Sequence, residues 1–223
     1  MRASPRLDPP TRAPRTADLR RRWALVAVVA GLALGPLDLL GQVVAPYPWA
    51  HLFNSPAVRA AAAFFWGRWI RNGRTGPVGG MLLLVVAVEA YYLADVLVRG
   101  ADPSNPISPT AVVWLMAAVA AGTTFGLAGN WAVDTTGARA VLGRAALPAV
   151  FGGEAVHTAT RLATEPADGR PSDLGELAVL LTVIAVLALV ALVRGLPGWT
   201  AATVTGLAAF AALVLGMVAA TLV

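Results

Sequence analysis

The stretch VGGMLLLVVAVEAYYLADVLV at residues 78–98 decides the fold. Its length of about 21 residues is what a helix needs to cross ~30 Å of hydrocarbon. Only Glu89 and Asp95 are charged within it. Comparable apolar runs lie on both sides, at 23–44, 56–70, 110–131, 139–162, 174–193 and 199–223. Breakers separate them. Pro46 and Pro48 lack the N–H a helix requires, Arg71-Asn72-Gly73-Arg74-Thr75-Gly76-Pro77 is a turn, and Gly195 to Gly198 turns into the last run. The pattern predicts an all-α polytopic membrane protein of about seven transmembrane helices in one bundle. The predicted domains are a disordered Arg/Pro-rich tail at 1–20 and a transmembrane domain at 21–223.

Composition agrees. Hydrophobic residues make up 57% of the chain and charged ones 13%, against about 25% charged in soluble domains. There is no cysteine, so disulfides, thiolate metal sites and a cysteine nucleophile are excluded. All 17 basic residues are arginine, which rules out lysine Schiff-base chemistry. Arginine usage with abundant Ala, Gly, Pro and Val points to a GC-rich bacterial genome and hence to the cytoplasmic membrane. The net charge of +5 gathers in the tail, where it sets topology and meets lipid headgroups rather than nucleic acid. The run at 23–44 is longer than a signal-peptide apolar region and is expected to be retained.

Arginine placement orients the bundle. With the N-terminus inside, cytoplasmic segments hold the tail arginines, Arg68, Arg71, Arg74, Arg139 and Arg194. External ones hold Arg99, Arg161 and Arg170 against Asp102, Glu165, Asp168 and Asp173. That alternation follows the positive-inside rule for seven spans and puts the C-terminus outside. The short run at 56–70 belongs in the count, since omitting it would move its arginines outside.

Asp38, Glu89 and Glu154 lie inside three co-directional runs, roughly 16–23 Å along their helices at 1.5 Å per residue. A charge at the bilayer centre costs at least ~2.5 kcal/mol, so all three are expected to face the bundle interior and to converge. Gln42, Tyr92 and His157 follow these acids at helical spacing. Phe65 and Trp66, with Trp49 and Phe53 from the first external loop, are candidates to line a cavity there. A structural reading stands beside this one: Asp38 and Glu154 can equally hold helices together by hydrogen bonds. Two histidines without ligand spacing predict no metal. Gly122, Gly126 and Gly129 read as close helix packing.

Asn54-Ser55, Phe65-Trp66-Gly67, Tyr91-Tyr92, Trp114, Gly126-Leu127-Ala128-Gly129-Asn130-Trp131 and Gly153-Glu154-Ala155 resemble a family of small actinobacterial multipass membrane proteins. The resemblance covers residues 24–195. Proteins of this layout are similar to the bacterial membrane terpene cyclases of indole sesquiterpene pathways. The resemblance implies protonation-initiated cyclisation of a prenyl chain on a hydrophobic, membrane-dissolved substrate, without cofactor.

The residues fit such chemistry. A dry carboxylic acid can protonate an alkene, and aromatic faces stabilise the carbocation without quenching it. Glu89, Glu154 and Asp38 are the catalytic candidates. Tyr92, His157, Phe65, Trp66, Trp49, Phe53 and Gln42 are the substrate-binding candidates. Two other classes stay open: a proton-coupled small-molecule carrier, and a non-catalytic membrane protein with structural acids.

Overall fold

A computed structural model describes residues 16–134, 136–164 and 171–193, with Thr200 and Val204. The described residues form α1 (Thr16–Val44), α2 (Trp49–Leu52), α3 (Pro56–Ile70), α4 (Thr75–Arg99), α5 (Pro109–Trp131), α6 (Gly137–Thr164) and α7 (Pro171–Leu192). A 3₁₀ turn, Asn105–Ile107, precedes α5, and no strand occurs among the described residues. The first helix begins at Thr16, ahead of the predicted start near Trp23. The run at 199–223 and the tail at 1–15 fall essentially outside the described residues.

Four helices are long and apolar enough to cross a membrane: Arg22–Val44 within α1, Thr75–Arg99, Pro109–Trp131 and Asp173–Leu192 within α7. Two predicted spans differ from these. Helix α3 has 15 residues, about 22 Å of helix. Helix α6 has 28 residues but carries Arg139, Arg144, Glu154 and Arg161. Both deviants meet protein rather than standing alone. α3 packs on α4, α5 and α6, while α6 also packs on α5 and α7. Ala57, Ala60, Ala63 and Phe64 of α3 are buried, and Phe64 lies in a core with Leu147, Val150, Phe151 and Leu181. Large side chains are exposed on the apolar helices, such as Leu25, Leu97, Met116 and Val190, and also on one face of α3 and α6, at Phe65, Trp69 and Val156.

Local chemistry sets the helix ends. α3 and α5 both begin Ser-Pro: Ser55 Oγ accepts from Val58 N–H, and Ser108 Oγ accepts from Ala111 N–H. Proline follows at a position whose N–H would have no helical partner anyway. Asn72 Oδ1 accepts from Arg74 and Thr75 N–H and starts α4. At the far end of α5, Arg144 donates to the carbonyls of Ala132 and Asp134. These are carbonyls that no further helical turn satisfies.

Glycine brings α3, α4 and α5 into backbone contact. A Cβ at Gly67 would run into the carbonyl oxygen of Gly126, and one at Gly129 into that of Phe64. Gly80 and Gly122 oppose each other across α4 and α5 in the same way. Gly122, Gly126 and Gly129 thus pack as their spacing predicts. We expect Gly126→Ala and Gly129→Ala to lower the apparent Tm of detergent-solubilised protein, at about 1–3 kcal/mol each for overpacking. Gly152→Ala, whose Cβ would meet Ala185 at 3.9 Å, should leave it unchanged; thermal unfolding of the three variants checks this.

Candidate functional site

The first turn of α3 gathers the polar groups of the bundle. Four N–H groups at a helix start have no helical partner, and here the start lies in the protein interior. Pro56 has no N–H. Ala57 N–H donates to Glu154 Oε2 at 2.8 Å, and Val58 N–H goes to Ser55 Oγ at 3.2 Å. Ser55 Oγ in turn donates to the same Glu154 oxygen at 2.7 Å. Glu154, contributed by α6, therefore caps α3 through Oε2, at the positive end of the helix dipole. Glu154 and Ser55 are both buried.

One turn further along α3 stands Arg59. Its Nε lies 2.9 Å from Oδ2 of Asp38, which comes from α1. The Arg59 side chain is 15% exposed and that of Asp38 3%. The guanidinium carbon lies 5.7 Å from the ring centroids of both Tyr91 and Trp114. Such contacts are each worth from about 0.5 to about 2 kcal/mol, rising as water is excluded. Gln42 Nε2 donates to the backbone oxygen of Asp38, and Tyr91 Oη donates weakly to Gln42 Oε1 at 3.4 Å.

Beside the guanidinium is a cavity of about 260 Å³, lined by Asn54, Arg59, Val88, Tyr91, Tyr92, Asp95 and Trp114. Asp95 is turned by two groups: Arg99 Nε lies 2.9 Å from Oδ1, and Asn105 Nδ2 donates to Oδ2 at 3.2 Å. The 3₁₀ turn thus closes one side. Trp114 is 37% exposed, so the cavity reaches the bundle surface.

The three acids expected to converge do so only in part. Asp38 and Glu154 both reach the first turns of α3, from opposite neighbours. Glu89 corrects the expectation: it is exposed on the outward face of α4. The inward face of α4 is fixed by backbone contacts, Gly35 of α1 against Ala87 and Tyr91, and Gly80 against Gly122. That rotation buries Val88, Tyr92 and Asp95 and leaves Glu89 on the stripe of Leu93 and Leu97, which are 55% and 75% exposed.

Among the substrate-binding candidates, Tyr92 lines the cavity and Gln42 braces Asp38. The other five do not line it. Phe65 and Trp49 face outward. The Phe53 ring packs on Gly41, and Trp66 is buried with its indole against Gly79. His157 lies on α6 one turn beyond Glu154. Arg59 and Asn54 escaped the candidate set, although a lone cation in PAVRAAAAFF facing a lone acid on another helix was a readable signal. Asp95, which was also outside the candidate set, borders the cavity.

Outside the spans, Tyr47 Oη donates to the backbone oxygen of Asp173 and stacks edge-on with His51. Burial, and then the charges of Asp173 and Glu176, push its phenol above the ordinary value. It therefore stays a donor and ties the α1–α3 connection to the start of α7.

A family of unknown function (DUF6518) has a model that matches residues 14–223. No curated protein and no solved structure matches the chain.

Asp38→Asn should destabilise the protein by about 3–5 kcal/mol, because it leaves a buried guanidinium unpaired. Asp38→Asn combined with Arg59→Gln should recover much of that loss. Glu154→Leu should cost a comparable amount by stranding Ser55 Oγ and Ala57 N–H, whereas Glu89→Leu should be tolerated. Unfolding midpoints in detergent decide it, and a severe loss in Glu89→Leu would contradict the placement of Glu89.

Proposed function

The chain belongs to DUF6518, a family of unknown function, and from its own geometry we propose a polytopic membrane protein that holds a lipid-soluble small molecule beside Arg59. The carrying observation is the cavity itself. A guanidinium within an apolar bundle is costly, yet Arg59 is held by Asp38, walled by Tyr91 and Trp114, and opens on free space. Ionisable groups so placed mark functional sites in membrane proteins, and mixed aromatic and polar walls suit a small organic ligand.

In this reading there are seven spans. The four long apolar helices face lipid, α3 and α6 are shielded by their neighbours, and residues 199–223 supply the last. The arginine alternation supports a cytoplasmic N-terminus and an external C-terminus in a bacterial cytoplasmic membrane. The cavity then lies in the outer half, since it is built from the start of α3, the end of α4 and the start of α5. The cysteine-free chain suits single-cysteine mapping. A membrane-impermeant maleimide applied to intact cells should label Ile107→Cys and spare Gly73→Cys; the reverse pattern overturns the orientation.

Protein purified in maltoside should release a lipid-soluble molecule, detected by mass spectrometry of an organic extract. Val88→Trp, which fills the cavity, should release none. Equal recovery from both proteins would remove the cavity as the site.

One observation favours a second reading, the cyclisation of an isoprenoid chain: three aromatic rings and the Asp95 carboxylate border one cavity. The acid would then be Asp95 rather than Glu89 or Glu154. A carbocation would have to share the faces of Tyr91 and Trp114 with Arg59, which ranks this reading below binding. It requires that Asp95→Asn keep the bound molecule and lose any cyclised product from a prenylated indole. Turnover by Asp95→Asn at the native rate would reject Asp95 as the acid.

A further inference from the structure

We propose that the ligand's polar end is an oxyanion, a carboxylate or a phosphate, received by the Nη nitrogens of Arg59. This rests on the reading of the cavity as a ligand site and adds the chemical class. The argument is a tally of unused hydrogen-bonding capacity. A guanidinium carries five N–H donors in one plane. Arg59 uses its Nε for Asp38, and among the described residues its Nη groups have no acceptor. The Tyr91 and Trp114 ring centroids stand 5.7 Å from the guanidinium carbon, and no oxygen among the described residues accepts from the Nη groups. The in-plane Nη donors are what remains for a ligand.

The other polar walls point the same way. The Asn54 side-chain amide and the Tyr92 hydroxyl border the cavity and make no hydrogen bond among the described residues. On the opposite wall, Asp95 accepts from Asn105 at Oδ2 and pairs with Arg99 across 2.9 Å at Oδ1, although Oδ1 itself makes no hydrogen bond. The Nη donors of Arg59 are the unused groups that can only donate, Asn54 and Tyr92 can donate beside them, and such a set is matched by an acceptor-rich group. Charge-assisted bonds from a planar fork to a carboxylate or phosphate are the strongest of that kind. An ammonium group would instead be repelled by the Arg59 guanidinium, whose partner Asp38 lies outside the cavity lining. Val88 and the Trp114 ring offer apolar contact for the rest of the molecule.

Full-length protein in dodecyl maltoside is titrated calorimetrically with probes sharing one alkyl chain: dodecanoate, dodecyl phosphate, dodecanol and dodecyltrimethylammonium. Inorganic phosphate is titrated separately. The expected result is binding of dodecanoate or dodecyl phosphate about tenfold or more tighter than dodecanol. That preference should vanish in Asp38→Asn/Arg59→Gln, which leaves no buried charge unpaired. It should weaken in Asn54→Ala, a smaller change that does not touch the ion pair. Saturable binding of inorganic phosphate with the same dependence on Arg59 identifies a soluble anion as the source. Binding that requires the alkyl chain identifies a membrane amphiphile, and both support the oxyanion. Dodecanol binding as tightly as the anions, or a preference for the ammonium probe, overturns the oxyanion and leaves the cavity reading standing. A preference that survives in Asp38→Asn/Arg59→Gln overturns the assignment to Arg59. Failure of every probe to bind overturns both.

Discussion

A helix that starts inside a bundle must find acceptors for its first N–H groups without water, and the start of α3 is where this protein meets that demand. Proline removes one donor, Ser55 takes another, and the buried carboxylate of Glu154 receives the third together with the serine hydroxyl. Leaving such donors bare costs about 1–3 kcal/mol each. The solution fixes α6 against α3, and fixing α3 places everything that follows. Arg59 emerges one turn later at a set height and direction, where Asp38 of α1 meets it.

The charges then form a consistent set. One carboxylate answers a helix dipole and the other answers a guanidinium. Neither is left alone in an apolar surrounding, which is the condition under which buried charges persist. Aromatic rings from α4 and α5 can reach the guanidinium because glycines on three helices bring the backbones into contact. Small residues at one end of the crossing and large rings at the other are two parts of one packing arrangement. The glycines draw the backbones together, and the rings stand beside the guanidinium.

Asp38 and Glu154 turn into the bundle as expected and Tyr92 borders the cavity, whereas Glu89 turns outward, for a physical reason. An isolated acid in an apolar run must be satisfied somewhere, but periodicity alone does not say which side of the helix faces protein. On α4 that choice follows from where Gly80 and Ala87 touch neighbouring backbones, and these contacts turn Glu89 outward. Arg59 went unread because arginine is the only cation in this chain and marks topology elsewhere. Only its partner on α1 separates it from the arginines at helix ends. Asp95, near the end of α4, becomes a wall of the cavity because the 3₁₀ turn folds back and Asn105 bonds to it.

By itself the sequence indicated the long helices, their approximate ends and about seven apolar runs, four of which are long and apolar enough to cross a membrane, because hydropathy and proline act over a few residues. It also marked Gly122, Gly126 and Gly129 as a packing stripe. The tertiary structure decided the pairings: Glu154 with the start of α3, Asp38 with Arg59, and two rings with one guanidinium. It also decided which polar residues enclose the cavity. These contacts join residues far apart in the chain, and their existence depends on helix rotation and crossing distance. Backbone contact at particular glycines sets both quantities, and no local pattern encodes them.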